Sequence, residues 1–455
     1  MYFGTNGVRG KFDQLTPELT LKLAQAIGIY LKNSKSSSDK VGEKPKIIVA
    51  RDCRMTGELL QSIVMGALAS VGCDVLDIGI ASSPTAEFMI KTGAAGCIIV
   101  SASHNPPEWN ALKVVDGFGV AISHERGGKI EKLMEKISLA KWDDIGKITK
   151  YDRATLEHIE AIGNAVNREA IAAKRPKIVL DCGNGTACVI APKLFKELGC
   201  EILTLNSHPD GKFPGRASEP SEGNVKDLVA LVQSSGANAG VAWDGDGDRV
   251  IFVDEKGGYV IGDKVFALSI IWKFNSVLAR GDVVTTVATS KAVEDVAKSY
   301  GGKIRYTAIG APYLCEEMIK KPAAIGGEEV GGVIFPEFSL AKDGFLTAAK
   351  MVEAICQKPL SNWLELVPKY YNIKTKIDAK NEKTKKQMIA RVLKYAKSKK
   401  LDYIDIDGVR INMKESWVIV RPSGTEPYVR IFAEAKGEEE AKRLVKEYEG
   451  VAKQK

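Results

Sequence analysis

Short apolar runs alternate with amphipathic stretches through the first three quarters of the chain, and this alternation limits the fold more than any other feature. Residues 46–50, 96–100, 177–181 and 282–287 have the length and the Val and Ile content of buried strands. Between such runs, residues 57–70, 187–198, 225–234 and 291–300 carry apolar side chains at helical spacing. The order predicts successive layered α/β domains with mixed, largely parallel sheets, and directs attention to the loops at strand ends.

At 455 residues the chain exceeds what one hydrophobic core usually serves. The pattern restarts near Tyr151, Asp254 and Lys369, so the expected domains are 1–148, 149–253, 254–367 and 368–455. After Lys369 the order changes to a strand, a Lys-rich helix, short strands at 403–406, 409–413, 417–421 and 428–433, and a closing helix from Glu438. That last part reads as a smaller α+β domain. Residues 33–44, rich in Ser and Lys, read as a flexible loop within the first domain.

Several function classes drop out. No apolar run is long enough to cross a bilayer and the start has no signal-peptide pattern, so the expected setting is cytoplasmic, with no membrane partner. The eight cysteines include no Cys-x-x-Cys pair, which argues against zinc and for small buried apolar side chains. A net charge of +8 suits an anionic partner. The Lys-rich stretch holds Met388, Val392 and Tyr395 at helical spacing, however, and reads as a solvated helix face rather than a nucleic-acid surface.

Four loops carry chemistry. The first, Ser101-Ala102-Ser103-His104-Asn105-Pro106-Pro107-Glu108-Trp109-Asn110-Ala111-Leu112-Lys113, is stiffened by its prolines and displays hydroxyls, with His104 and Lys113 as candidate activators. An ordinary turn fits it equally well. The second, Trp243-Asp244-Gly245-Asp246-Gly247-Asp248-Arg249, sets three carboxylates at alternate positions, where they converge on a hard divalent cation. An EF-hand loop would use Glu255 at its twelfth position, but it requires glycine where Arg249 stands and helices where this loop has strands. A phosphatase-like loop with Asp244 as nucleophile stays open.

The third loop, 325–333, contains Gly327, Glu328 and Glu329; glycines admit a sugar to the backbone and a Glu accepts its hydroxyls, although a plain hairpin has the same pattern. The fourth, Arg421-Pro422-Ser423-Gly424-Thr425-Glu426-Pro427 with Arg430 beyond it, has the donors of a phosphate cradle without a Walker ending. Together the loops predict one cleft holding a phosphosugar at both ends. A magnesium ion on Asp244, Asp246 and Asp248 would touch phosphorylated Ser103, with Arg249 and the cradle taking the remaining charge.

These motifs, in this order and over essentially the whole chain, resemble those of the α-D-phosphohexomutases, the family of phosphoglucomutase, phosphomannomutase and phosphoglucosamine mutase. The opening Phe3-Gly4-Thr5-Asn6-Gly7-Val8-Arg9-Gly10 and the segment Val179-Leu180-Asp181-Cys182-Gly183-Asn184-Gly185 are similar to further family motifs. The resemblance implies three α/β domains and a smaller C-terminal one around a central cleft. It implies that Ser103 is a phosphoserine coordinating one Mg2+ per chain together with the three aspartates, and that a hexose 1,6-bisphosphate is intermediate and activator. Lys113 and Arg9 match proton-transfer positions, His104 lies beside the phosphoserine, and Arg421, Ser423, Gly424, Thr425 and Arg430 match the binder of the non-reacting phosphate.

Two departures bear on specificity. Many members read Gly-Glu-x-Ser-Gly-His in the sugar loop, where this chain has Val330 and Gly332 at the Ser and His positions; Asn6 stands where many have Asp or Ser. The expected activity is interconversion of hexose 1- and 6-phosphates, with mannose or glucose ahead of glucosamine. The rivals are the phosphatase-like reading through Asp244 and a non-catalytic phosphosugar-binding protein. A homo-oligomer is compatible with all of them.

Overall fold

The computed structural model describes residues 2–4, 7–34, 43–276, 280–423 and 427–454. They form two compact units, one of residues 1–265 with 330–364 and one of 266–329 with 365–455. Among the described residues, no helix is long and apolar enough to cross a membrane.

The first unit begins with a seven-stranded sheet built from β1 (Phe3–Gly4), β2 (Gly7–Lys11), β3 (Lys46–Arg51), β4 (Asp74–Ile80), β5 (Gly96–Val100), β6 (Trp109–Asp116) and β7 (Ile148–Lys150), in the order β1-β2-β6-β5-β3-β4-β7. Strands β5, β3, β4 and β7 are parallel, while β6, β2 and β1 join antiparallel. The two-residue period of a strand explains the unbroken apolar runs. Ile47, Val49, Ile98 and Val100 face one core with helices Pro17–Lys32 and Gly57–Ser70, and Ile48, Ala50, Cys97 and Ile99 face another on the opposite side. Thr16 starts the first of those helices by accepting the amide of Leu19 at 3.3 Å.

The second sheet of this unit holds β8 (Lys177–Asp181), β9 (Glu201–Leu205), β10 (Ala239–Trp243), β11 (Val250–Asp254) and β12 (Tyr259–Val260), ordered β12-β11-β10-β8-β9. Here β10, β8 and β9 are parallel, and β11 turns back antiparallel to β10. Both parallel sets therefore end in loops at their C-terminal edges, one after β5 and one after β10, and these carry the predicted serine and aspartates.

In the second unit β13 (Val283–Thr286) pairs in parallel with β14 (Ile304–Thr307) and β15 (Ile325–Gly327); β16 (Val333–Ile334) belongs to the first unit. The C-terminal sheet is antiparallel throughout, ordered β17 (Tyr371–Asp378), β21 (Tyr428–Ala435), β20 (Ser416–Pro422), β19 (Val409–Asn412) and β18 (Asp402–Ile404). One face packs on helices Glu382–Ser398 and Glu438–Lys453 through Val429, Ile431, Val392 and Leu444. The Lys-rich helix turns Met388, Val392 and Ala396 inward; Lys385 is buried as well, with its Nζ donating to the Ser423 carbonyl at 2.9 Å. Five cysteines are buried and Cys188, Cys200 and Cys356 are half-buried. Most of the predicted 33–44 loop, residues 35–42, lies outside the described residues.

Candidate active site

Ser103 sits just past the end of β5, in an irregular stretch that ends where β6 begins at Trp109. Its φ of 53° is left-handed, a conformation that a residue with a side chain keeps only where its surroundings impose it. It is buried, and its Oγ donates to Asp244 Oδ2 at 2.5 Å. The Ser103 carbonyl accepts from Ser218 Oγ at 2.8 Å. Gly245 permits this approach of the two loops, since a Cβ there would lie 2.7 Å from the Ser103 carbonyl oxygen.

The loop between β10 and β11 brings carboxylate oxygens of Asp244, Asp246 and Asp248 within 4.8 Å of one another, all buried. The amides of Gly247 and Arg249 donate to Asp244 Oδ1 at 3.1 and 3.2 Å, which aims the other oxygen at Ser103. Asp246 Oδ1 and Asp248 Oδ1 are buried without a hydrogen-bond partner among the described residues. Burial and the neighbouring Asp248 and Asp246 push the Asp244 carboxyl well above the usual range. Hard oxygen donors, orphaned lone pairs and mutual repulsion fit a divalent cation of the magnesium or calcium kind. Glu255 takes no part; it accepts the amide of Ser361 at 3.2 Å.

Two lysines share the acidic cluster. Lys113, on β6 rather than in the loop before it, pairs with Asp246 and lies 3.6 Å from Asp248 Oδ2. Burial works against its charge, but Asp246 and Asp248 outweigh burial and hold the ammonium above its ordinary value. Lys342 Nζ lies 3.2 Å from Asp248 Oδ2. Despite burial, Lys342, Lys113 and Arg249 hold Asp248 far below the usual carboxylate range.

Arg249 Nη1 donates to Glu219 Oε2 at 2.8 Å, and the same oxygen is 4.0 Å from His104 Nδ1. Burial, with the positive charges of Arg249 and Arg9, pushes His104 down to about 2, so its imidazole is neutral at working pH. Arg9 Nη1 donates to Asn105 Oδ1 at 2.5 Å. Thus Arg9, Ser103, His104, Lys113, Asp244, Asp246, Asp248 and Arg249 all belong to the first unit.

The remaining candidates belong to the second unit. Gly327 accepts Thr285 Oγ1 on its carbonyl at 2.9 Å, and Glu328 is buried beside it. Arg421 and Arg430 stand opposite each other on β20 and β21, and Lys376 stands opposite Arg430 on β17. Like charges in direct register are unfavourable by themselves, so a row of three cations suits an anion. Asp407 takes part of that charge, 3.0 Å from Arg421 Nη2. Ser423 donates its amide to the Tyr428 carbonyl at 3.0 Å. Gly424 and Thr425 of the cradle lie outside the described residues, as do Thr5 and Asn6.

Reading the motifs missed Lys342, Glu219 and Lys376. Lys342 carried one signal, a Lys-Asp pair between Ala341 and Gly344 just before an apolar helix. The other two are single charged residues in ordinary surroundings.

Family models for the phosphoglucomutase/phosphomannomutase proteins match in chain order: α/β/α domain I over residues 1–141, domain II over 156–258, domain III over 261–370 and the C-terminal domain over 374–450. The chain belongs to this family. Its relatives include a phosphoglucomutase/phosphomannomutase of Thermococcus kodakarensis, 41% identical with 97% of this chain and 96% of that protein covered. A phosphoglucosamine/phosphogalactosamine mutase of Sulfurisphaera tokodaii is 35% identical, with 100% and 99% covered. A solved phosphoglucomutase/phosphomannomutase family protein of Burkholderia thailandensis shares the fold at a TM-score of 0.86 and 24% identity, covering 99% of this chain and 97% of that one. The protein is accordingly a phosphohexomutase, an isomerase of carbohydrate metabolism.

Proposed function

We propose that this phosphohexomutase interconverts hexose 1-phosphate and hexose 6-phosphate through phosphorylated Ser103, with glucose and mannose phosphates as its substrates. The observation that carries the reading is the 2.5 Å contact of Ser103 Oγ with Asp244 inside a buried acidic triad. Phosphoryl transfer depends on positioning and charge neutralisation, and this is where the chain concentrates both.

Ser103, Asp244, Asp246 and Asp248 would hold the magnesium ion, which when bound draws charge from the phosphoryl oxygens. In the forward direction the O–P bond to Ser103 breaks as a new one forms to the free hydroxyl of the sugar phosphate, giving a hexose 1,6-bisphosphate. Lys113, kept as an ammonium by Asp246 and Asp248, supplies a proton to the departing Ser103 oxygen. The proton released by the sugar hydroxyl replaces the one Lys113 gives up, so the step is proton-neutral, and Arg9 and Arg249 offset negative charge beside a His104 that stays uncharged. The other phosphate of the bisphosphate then returns to Ser103 by the reverse step. Gly327 and Glu328 bind sugar hydroxyls, and Arg421, Ser423, Gly424, Thr425 and Arg430, with Lys376, bind the phosphate that is not being transferred.

Glucose and mannose come first because the 41% identical relative bears those names; the glucosamine and galactosamine names of the 35% identical one favour amino-hexose phosphates as a second reading. Phosphorus NMR of 1-to-6 exchange across glucose, mannose, glucosamine and galactosamine phosphates separates the two. Peptide mass analysis should find an acid-stable phosphate on Ser103, and Ser103→Ala should abolish exchange. A labile acyl phosphate on Asp244 would replace this reading with a phosphatase-like one.

A further inference from the structure

Arg54 is 1% exposed, among the most deeply buried large side chains of the chain, and it takes no part in the mechanism above. Each N–H of its guanidinium has an acceptor. Nε donates to Asp52 Oδ2 at 3.0 Å, Nη1 to the carbonyls of Pro106 at 2.5 Å and Trp109 at 3.0 Å, and Nη2 to those of Ser103 at 2.8 Å and Asn105 at 2.7 Å. Four of the five donors of this planar fork are thereby spent on one short stretch, and the fifth on Asp52.

That loop lacks regular structure and contains two prolines, so it has few hydrogen bonds of its own to fix it. Asp52 extends the support: its Oδ2 also accepts from Ser101 Oγ at 2.7 Å, and Ser101 Oγ in turn accepts the Ser103 amide at 3.0 Å. Both backbone groups of Ser103 are therefore held from the end of β3, and its left-handed φ is the conformation those bonds dictate. A buried ion pair adds little to stability by itself, whereas a fork bonded to four carbonyls fixes geometry.

We propose that Arg54 is a positioning residue for phosphoryl transfer, setting the Ser103 backbone so that Oγ stays on the acidic triad through both half-reactions. The proposal rests on the reading of Ser103 as phosphoryl carrier. Misplacement of a reacting atom by about 1 Å typically costs about a hundredfold in rate, so Arg54→Lys and Arg54→Ala should lower kcat by about that factor or more. KM for the hexose phosphate should stay within about threefold, because substrate binding uses other groups.

Millimolar guanidinium should restore Arg54→Ala at least about tenfold and leave Arg54→Lys unchanged, a response that general loosening of the fold does not give. Ser218→Ala, which removes the second donor to the Ser103 carbonyl without touching Arg54, should lower kcat with KM held; it decides the matter if the Arg54 variants do not fold. Wild-type kcat in Arg54→Lys, a KM that rises in step with any loss, or no guanidinium response overturns the proposal. Ser103→Ala run in parallel separates the two failures: turnover surviving there removes the carrier reading, not the role of Arg54 alone.

Discussion

Lys342 crosses the backbone of Gly332 to bring its Nζ within 3.2 Å of Asp248 Oδ2. A Cβ at position 332 would stand 2.5 Å from Lys342 Cδ, so the missing side chain at Gly332 gives the lysine its path. Lys342→Met leaves Asp248 buried with less compensating charge, a change that typically costs about 3–5 kcal/mol. A divalent cation replaces that charge. The variant should melt well below wild type in EDTA, and magnesium should raise its melting temperature by more than it raises that of wild type. Equal rises in the two proteins would contradict the coupling.

Lys376 is exposed, so replacing it should leave the fold intact while removing one cation from the row with Arg430 and Arg421. A charge-assisted contact worth about 1–2 kcal/mol corresponds to a rise in KM of about five- to thirtyfold for Lys376→Ala. Steady-state kinetics on a hexose phosphate should show this with kcat nearly unchanged. An unaltered KM removes the lysine from the cradle.

Burial pushes the Glu87 carboxyl up to about 8 against the pull of Lys113, with Asp248 adding to the rise. The folded protein thus keeps a proton that the unfolded chain releases above its ordinary value of 4.5. Between these two pH values the folded state binds more protons, so this group's contribution to stability falls as pH rises and levels off above about 8. Glu87→Gln removes that slope. Thermal melts from pH 5 to pH 8 should show the variant gaining on wild type; parallel profiles would refute the assignment.

Asp343 caps helix Gly344–Ile355 through the amides of Phe345 and Leu346 at 2.9 and 3.0 Å, and its Oδ2 meets His158 Nε2 at 2.9 Å. Asp343→Ala loses a cap worth about 1 kcal/mol and strands a buried histidine at about 1–3 kcal/mol. Urea unfolding should register a loss of about 2–4 kcal/mol, and Asp343→Asn, which keeps the cap, should lose less.

The strands and helices of the α/β layers were readable in the sequence because their signals are local. Runs such as Ile47 to Ala50 and Ile98 to Val100 are apolar on both faces, and the Lys-rich helix shows its buried stripe at Met388 and Val392, whereas Tyr395 is only half-buried and Ala396 completes the stripe. The acidic loop was equally plain, since like charges crowded at alternate positions call for a cation. What escaped depends on contacts between distant segments. Arg54 lies 49 residues from Ser103, and Lys342 is further still from Asp248. A lone basic residue looks the same in sequence whether it is solvated or bonded to four carbonyls. Register hid Lys376 too: only the pairing of β17 with β21 sets it beside Arg430.

The first compact unit is not contiguous in the chain: residues 330–364 return to it after the segment 266–329 has left. Lys342, Asp343 and the helix that Asp343 caps all arrive with the returning piece. A gene fragment ending at residue 265 would therefore encode the serine and the aspartates without the lysine that neutralises one of them. A single contiguous piece that preserves this unit must run on to residue 364, and so carries the segment 266–329 with it.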